Sequence, residues 1–458
     1  MLDLQTAADA LSANRAGANI VFTGVSTDTR GLRRGELFVA LRGERFDGHG
    51  FLEAAFAAGA AAAMIDSRAL PARPDWPLLI VSDTRLALGR LSALWRERFN
   101  LPLIGITGSN GKTTVKEMLA AVLRESAGAQ AVLATAGNLN NDIGMPLTLL
   151  GLRSVHKYAV IEMGMNHLGE LRYLTQLARP EVALVNNAGT AHIGELGSRE
   201  AIARAKGEIY EGLRPGGVAL VNADDDFAEL WREMNAGRRV VDFGIERPAA
   251  VSAQYEMSRE ATLMTVRTPQ TQYLVRLSVP GVHNVRNALA VAAVAHVLGI
   301  RPAIVAAGLS KYTGTAGRLQ RKLSQSGAVF IDDTYNANPD SVTAAIDVLM
   351  LAPGKRLLVL GDMGELGAAG EQLHAEVGAH ARRAGVDQLL TLGTLSQAAA
   401  RSFGPRATHF EDLDTLCAAL DQALNADTTV LVKGSRFMRM ERVVQHFVNG
   451  EPHTQGSH

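Results

Sequence analysis

Residues 101–126 constrain the fold more than any other stretch of this 458-residue chain. An apolar run, Leu103-Ile104-Gly105-Ile106, meets Thr107-Gly108-Ser109-Asn110-Gly111-Lys112-Thr113-Thr114, and a helix-period stripe of Val115, Met118, Leu119, Val122 and Leu123 follows. The pattern reads as a strand, a phosphate-binding loop and a helix. Gly108 and Gly111 let backbone N–H groups crowd an anion, Lys112 adds a point charge, and the Thr113 hydroxyl suits Mg2+. The apolar stripe would seat the helix on a sheet, so that its N-terminus and dipole face the phosphates. The spacing departs from the usual pattern: Ile106 stands where a glycine is expected, and glycines fall at Gly105 and Gly108 instead. An ordinary glycine-rich turn is the competing reading, and the flanking strand and helix favour nucleotide.

The chain exceeds one core's worth of residues, so on the order of two to four domains are expected. Lys plus Arg equals Asp plus Glu at 46 each, which argues against a general nucleic-acid or acidic-membrane binder. Small charged ligands held by local charge remain. Cys417 is the only cysteine, so neither an internal disulfide nor a cysteine-zinc cluster can form, and a reducing cytoplasm fits. Residues 1–17 place Asp3 and Asp9 ahead of any basic residue, unlike a signal peptide. The apolar stretches 54–65 and 288–300 are Ala-rich and shorter than the roughly 20 residues that span a bilayer; buried helices are expected there. The polar end, 451–458, reads as a tail, with His453 and His458 part of it rather than ligands.

Before residue 101 the pattern gives a strand at 36–41, a helix at 51–61, strands at 62–65 and 78–81, and a closing helix at 86–99. Two polar clusters stand out, Ser26-Thr27-Asp28-Thr29-Arg30 and Arg42-Gly43-Glu44-Arg45-Phe46-Asp47-Gly48-His49-Gly50. By composition each is a turn, and Arg30 and Arg42 could fork a phosphate or stay solvated. Apolar strands at 158–161, 182–187 and 218–222 then alternate with helices, the signature of a doubly wound α/β sheet. Ligands of such sheets lie beyond the carboxyl ends of strands, where the Gly108 loop and Glu162 both fall. Glu162 therefore reads as a Mg2+ ligand, with helix capping as the competing reading. Residues 137–146, rich in amides and glycines, read as a loop, and a helical stretch is expected over 199–212. Taken alone, His192 and Lys206 are unremarkable, a solvated lysine being the default. A helix over 282–298 opens with His283-Asn284 and Asn287, whose amides could read a purine edge or cap the helix.

Residues 311–318, rich in Gly and Thr, read as a hinge. Beyond them, strands at 329–331, 357–360, 389–392 and 430–432 predict a third domain of Rossmann-like type. Three polar strand ends fall on one rim: Asp332-Asp333-Thr334-Tyr335-Asn336-Ala337-Asn338-Pro339-Asp340-Ser341, Gly361-Asp362-Met363-Gly364-Glu365-Leu366-Gly367, and Lys433-Gly434-Ser435-Arg436. Together they describe a crevice of carboxylates, amides and two cations that suits a zwitterion.

These segments together resemble the Mur ligases, the ATP-dependent amide-forming enzymes of cell-wall precursor synthesis, along the whole chain. The segments from Thr107 to Thr114, Glu162 to Asn166 and Asn186 to His192 look like the shared ATP and metal core, as do Lys206-Gly207-Glu208, His283-Asn284 with Asn287, and Arg318. The third-domain rim, with Asp28 to Arg30 and Arg42 to His49, looks like the member that adds D-alanyl-D-alanine to the UDP-muramoyl tripeptide. The resemblance implies a central P-loop domain at 101–314, a small N-terminal α/β domain at 1–100 for the UDP-muramoyl substrate, and a Rossmann-like domain at 315–458 for the dipeptide. It makes Lys206 a carbamylated lysine and His192 its co-ligand on a second Mg2+, reversing the solvated default. Thr113 and Glu162 would serve the first Mg2+, Lys112 the triphosphate, Asn287 with Asn284 the adenine, and Arg318 with Asp332 the ribose and phosphates. Ser26, Asp28, Arg30, Arg42, Phe46, Asp47, His49, Asn138 and Asn141 would meet the UDP-muramoyl substrate. Tyr335, Asn336 and Asn338 would meet the dipeptide, and Lys433 and Arg436 a carboxylate.

The chemistry so implied is phosphorylation of a carboxylate by the γ-phosphate, giving ADP and an acyl phosphate that an amine attacks, with the third domain swinging about 311–318. A cytoplasmic monomer with no membrane span is expected. A related amide ligase, such as a folylpolyglutamate synthase or another muramoyl amino-acid ligase, would share the ATP core. A nucleotide-dependent P-loop switch is the reading from a different class.

Overall fold

The computed structural model describes residues 1–44, 46–69, 75–258 and 261–448. Arg45, His453 and His458 lie outside the described residues. The organising element is a nine-stranded sheet in which Leu103–Thr107 lies between Tyr158–Glu162 and Val182–Val185, parallel to both. Val132–Ala134 closes that edge, and Val218–Asn222 and Arg239–Gly244 continue the other. The central strands are apolar throughout because helices cover both faces. Lys112–Ala127, Val282–Val297 and Pro302–Ser310 pack one face, and the five residues of the expected stripe, Val115 to Leu123, are all buried there. Gly144–Leu150, Glu170–Ala178 and Arg199–Gly207 pack the other. From Leu103–Thr107 the chain crosses first to one side of the sheet and then to the other, so the carboxyl end of this strand is a topological switch point. Ile106 is a fully buried strand residue paired with Leu184, which accounts for the absence of a glycine there.

A five-stranded sheet runs Asn14–Ala16, Leu78–Val81, Ala62–Asp66, Leu37–Val39, Val25–Ser26, with the first strand antiparallel. Helix Thr84–Arg96 bridges this sheet to the central one, sharing a core with Gly144–Leu150 and Glu170–Ala178. Its Arg96 is fully buried and donates to the Ala178, Phe99 and Leu101 carbonyls while pairing with Glu181 at 3.2 Å. The third sheet has six strands in the order Gln320–Leu323, Val329–Asp333, Thr428–Lys433, Lys355–Gly361, Gln388–Leu392, Ala407–Phe410, and only the first is antiparallel.

Three expectations need correction. The segment 137–146 is not a loop throughout, because helix Gly144–Leu150 begins inside it; Pro146 sits in the first turn, where its missing N–H is not needed. The strand expected over 182–187 ends at Val185; Asn186 N–H still donates to Thr107 O at 2.9 Å, and the side-chain amides of Asn186 and Asn187 turn to the loop beside them. Residues 239–277, for which the sequence reading offers no element, add Arg239–Gly244 and three further strands, Val251–Met257, Thr262–Arg267 and Gln272–Leu277, the last two antiparallel.

Candidate active site

The phosphate loop is built from the strand end and clamped by neighbouring amides. Gly111 takes φ +81 and precedes the first turn of Lys112–Ala127. Ser109 N–H donates to Asn187 O at 2.9 Å and Asn110 N–H to Asn187 Oδ1 at 2.8 Å. Asn186 Nδ2 donates to Asn110 O at 3.0 Å and to Asn287 Oδ1 at 2.9 Å. Asn284 Nδ2 is used on Pro280 O at 2.7 Å, where it holds the turn before its helix. Lys112 curls back so that Nζ donates to Gly108 O at 2.6 Å. Desolvation lowers its pKa, Glu162 opposes that shift, and Arg318 adds to it. Thr113 Oγ1 accepts from Arg318 Nη2 at 3.0 Å, and the guanidinium lies 4.2 Å above the Tyr335 ring. Thr107 and Thr114 are buried, and Thr107 Oγ1 has no hydrogen-bond partner among the described residues.

On the next strand Glu162 is 2% exposed. Its Oε1 accepts from Asn140 Nδ2 at 2.8 Å, and its buried Oε2 has no hydrogen-bond partner among the described residues. A carboxylate oxygen out of water and unpaired is costly unless a cation completes it. Lys206, on Arg199–Gly207, is 1% exposed and finds no ion pair among the described residues. Burial, and then the Lys112 cation, hold its pKa well below the ordinary lysine value. This is the opposite of the solvated lysine that composition suggests. His192 stands at φ +65, with Nδ1 2.7 Å from Glu365 Oε2. Among the described residues no three His, Cys, Asp or Glu side chains gather to hold a metal alone.

In the N-terminal block, Arg30 forks onto Asp28, with Nη2 to Oδ2 at 2.6 Å, and Ser26 Oγ donates to Asp28 O at 2.9 Å. The Arg30 hydrogen bond pushes Asp28 down to about 2. Arg42, 3.5 Å from Asp47, and Phe46 are exposed. His49 turns inward: Nδ1 lies 2.5 Å from Asp47 Oδ1, and Nε2 accepts from Asp66 N–H at 2.9 Å. The ring therefore holds its own loop rather than facing a ligand. Asn138 is exposed, whereas Asn141 Oδ1 accepts from Gly144 N–H at 2.8 Å.

The C-terminal rim is tied together through Ser435, whose hydroxyl donates to Ala337 O at 3.0 Å and accepts from Gly364 N–H at 2.8 Å. Asn338 caps helix Pro339–Leu349, and its Nδ2 donates to Asn110 Oδ1 at 2.8 Å, joining this rim to the phosphate loop. Asn336 Oδ1 accepts from Ala337 N–H. Two expected contacts are pre-empted. Asp332 is buried, with its carboxylate already engaged by Lys322 at 2.7 Å and the Thr334 hydroxyl at 2.6 Å. Lys433 is 3% exposed and held by Asp333 Oδ2 at 2.5 Å and Asn336 O at 2.9 Å, so it does not present itself to a ligand carboxylate. Arg436 stays exposed, 3.1 Å from Glu441.

Known families match the chain in series. The Mur ligase family catalytic domain covers residues 21–96, the Mur ligase middle domain 106–295, and the Mur ligase glutamate ligase domain 317–436. The UDP-N-acetylmuramoyl-tripeptide--D-alanyl-D-alanine ligase of Escherichia coli (strain K12) is 43% identical over 444 residues, spanning 95% of this chain and 96% of that one. The chain belongs to the Mur ligase family. A crystal structure of MurF from Acinetobacter baumannii matches it with a TM-score of 0.90 at 37% identity, covering 97% of this chain and 98% of that one. MurF ligase from Thermotoga maritima, in complex with ADP, matches with a TM-score of 0.84 at 27% identity, covering 94% and 98%.

Sequence reasoning about this Mur ligase missed three side chains at the junction of its blocks: Thr190, Asp340 and Glu365. Asp340 and Glu365 lie in strand-end segments that the sequence singles out, but a carboxylate there carries no mark of which partner it will find. The available signal was the pair of flanking glycines, Gly364 and Gly367, around Glu365.

Proposed function

We propose that this Mur ligase joins D-alanyl-D-alanine to UDP-N-acetylmuramoyl-tripeptide, converting ATP to ADP and phosphate. The observation that carries the reading is the Asn110–Asn338 bond, which sets a polar acceptor crevice on one sheet directly against the phosphate loop of another. The relatives named above match along nearly the whole chain, end domains included, so a folate-extending ligase, another muramoyl ligase or a nucleotide switch is not favoured. Residues 1–100 take the nucleotide-sugar peptide, 101–314 the ATP and 315–458 the dipeptide.

In the first step a carboxylate oxygen of the tripeptide bonds to the γ-phosphorus, and the bond from phosphorus to the ADP oxygen breaks. In the second, the dipeptide nitrogen, having lost a proton from its ammonium form, attacks the acyl carbon, and phosphate leaves. Both reactants of the first step are anions, so the chain's part is to offset their repulsion. Backbone N–H groups of residues 108–114, the helix dipole and Lys112 bear on the triphosphate. The orphaned Glu162 Oε2 and the Thr113 hydroxyl would hold a Mg2+. Burial of Lys206 favours its neutral form, the form of an amine that reacts with CO2. Nitrogen bonds to the CO2 carbon, a proton leaves, and the resulting carbamate with His192 would hold a second Mg2+. Bound there, Mg2+ supplies Lewis-acid neutralisation of the phosphoryl oxygens. Arg318, bonded to Thr113 and stacked on Tyr335, connects the phosphate loop to the acceptor rim.

A cytoplasmic monomer fits the lone buried Cys417 and the nucleotide substrates. No helix among the described residues is long and apolar enough to cross a membrane. Incubation with ATP, Mg2+, UDP-muramoyl tripeptide and D-alanyl-D-alanine, each omitted in turn, should give the pentapeptide by mass only when all four are present. Product formation without the dipeptide, or none with all four, refutes the assignment.

A further inference from the structure

Residues 188–194, which carry His192, are anchored from two blocks of the protein. Ala188 N–H donates to Asp225 Oδ2 and Gly189 N–H to Ser109 Oγ, both at 2.9 Å and both within the central block. The next anchors come from the C-terminal block. Asp340 Oδ2 accepts the Thr190 N–H at 2.7 Å and the Thr190 hydroxyl at 2.9 Å. Glu365 O accepts the Gly194 N–H at 3.1 Å, and the Glu365 carboxylate reaches His192 Nδ1 at 2.7 Å. His192 and Glu365 both hold left-handed backbones, at φ +65 and +63. Such a conformation is unfavourable for a residue with a side chain and persists where its surroundings impose it. For His192 the anchors immediately before and after it, at 190 and 194, are both supplied across the junction.

We propose that Asp340 and Glu365 are positioning residues for His192: docking of the C-terminal block fixes residues 190–194, and His192 takes its working place only in the docked state. The inference rests on the reading of His192 as part of the reaction centre, which loss of turnover in His192→Ala tests by itself. Two glycines make the close approach possible. A Cβ on Gly189 would lie 2.3 Å from Asp340 Oδ2, and one on Gly194 would lie 2.5 Å from Gly367 N and 2.8 Å from Glu365 O. Gly194 belongs to the short helix Ile193–Leu196 and has no left-handed φ. Alanine is therefore unstrained within its own helix and collides only with the opposite block.

The test compares wild type, Gly194→Ala and Asp340→Ala by amide hydrogen exchange and steady-state kinetics. Peptides covering 188–196 should exchange at least about tenfold faster in both variants, while the strand Leu103–Thr107 keeps wild-type protection. The kcat should fall at least about tenfold with the KM for ATP within about twofold of wild type. Unchanged exchange over 188–196, or faster exchange with unchanged kcat, overturns the proposal. If Gly194→Ala also loosens the central strand, Asp340→Ala, which adds no atoms, decides by the same two readouts.

Discussion

Replacing Gly111 by alanine measures how tightly the phosphate loop is specified. Gly111 stands at φ +81, and an added Cβ would lie 2.4 Å from Asn287 Oδ1 and 2.6 Å from Asn186 Nδ2. Those two atoms are bonded to each other at 2.9 Å, and both side chains are buried, so neither can swing aside without losing a partner. The left-handed backbone costs alanine about 1–2 kcal/mol, and parting the amide pair costs about 1 kcal/mol more. The loop sheds this by relaxing, and nucleotide must restore it, so the total of roughly 2–3 kcal/mol falls on affinity. At about 1.4 kcal/mol per tenfold, ADP should bind roughly 30- to 140-fold more weakly. Titration calorimetry with ADP and Mg2+ reads this directly. Gly128→Ala, at φ +95 with nothing within 4 Å, carries the backbone strain at the far end of the same helix and should leave ADP affinity unchanged. Affinity of Gly111→Ala within about twofold of wild type, or an equal loss in Gly128→Ala, would refute the reasoning.

Lys206→Ala should abolish pentapeptide formation, and Lys206→Arg should not restore it, because a guanidinium cannot take up CO2; mass detection of product checks both. Glu162→Gln keeps the Asn140 bond and the side-chain shape, so its urea midpoint should correspond to a stability within about 1 kcal/mol of wild type. Calorimetry with and without Mg2+ should show that the metal no longer tightens nucleotide binding. Burial pushes His283 down to about 4 from 6.5, with Lys433 and Arg286 assisting against Asp333. Between those values the unfolded chain binds the extra proton, so native stability falls as pH drops from 6.5 toward about 4. Urea midpoints across that range should fall less steeply for His283→Asn.

The strand, loop and helix at 101–126 were legible because three local signals coincide: an apolar run, left-handed glycines and a 3.6-period stripe. The carboxyl-edge segments of both large sheets were legible for the same reason, since an apolar strand that stops at polar residues announces its own end. What each polar side chain does was less legible. Asp332 and Asp333 are adjacent and chemically identical, yet they point to opposite faces of one strand, and Lys322 takes the first while Lys433 takes the second. The pairing with Lys433 spans 100 residues of sequence, a distance over which spacing carries no information. Lys206 shows the converse. Its helix is amphipathic and ordinary, and only burial in the folded chain, with the Lys112 cation near enough to add to it, turns a solvated cation into an amine whose pKa is depressed.

That distinction decides which cation of the C-terminal rim can serve a ligand carboxylate. Releasing Lys433 would break an ion pair at 2.5 Å in which both side chains are largely buried, 3% and 12% exposed. Removing a partner from such a pair costs about 3–5 kcal/mol, more than a carboxylate reaching the same ammonium could return. Arg436 is 62% exposed and, among the described residues, its one ion pair is with Glu441 at 3.1 Å, a contact of the surface kind, and exchanging such a partner costs about 0–1 kcal/mol. The two cations are three residues apart, Lys433 the last residue of its strand and Arg436 just beyond it. Lys433 sets the shape of the rim by holding Asp333 and the Asn336 carbonyl in place, and Arg436 is the rim cation we propose for the dipeptide's carboxylate, to be checked by a rise in the KM for dipeptide in Arg436→Ala with the KM for ATP unchanged.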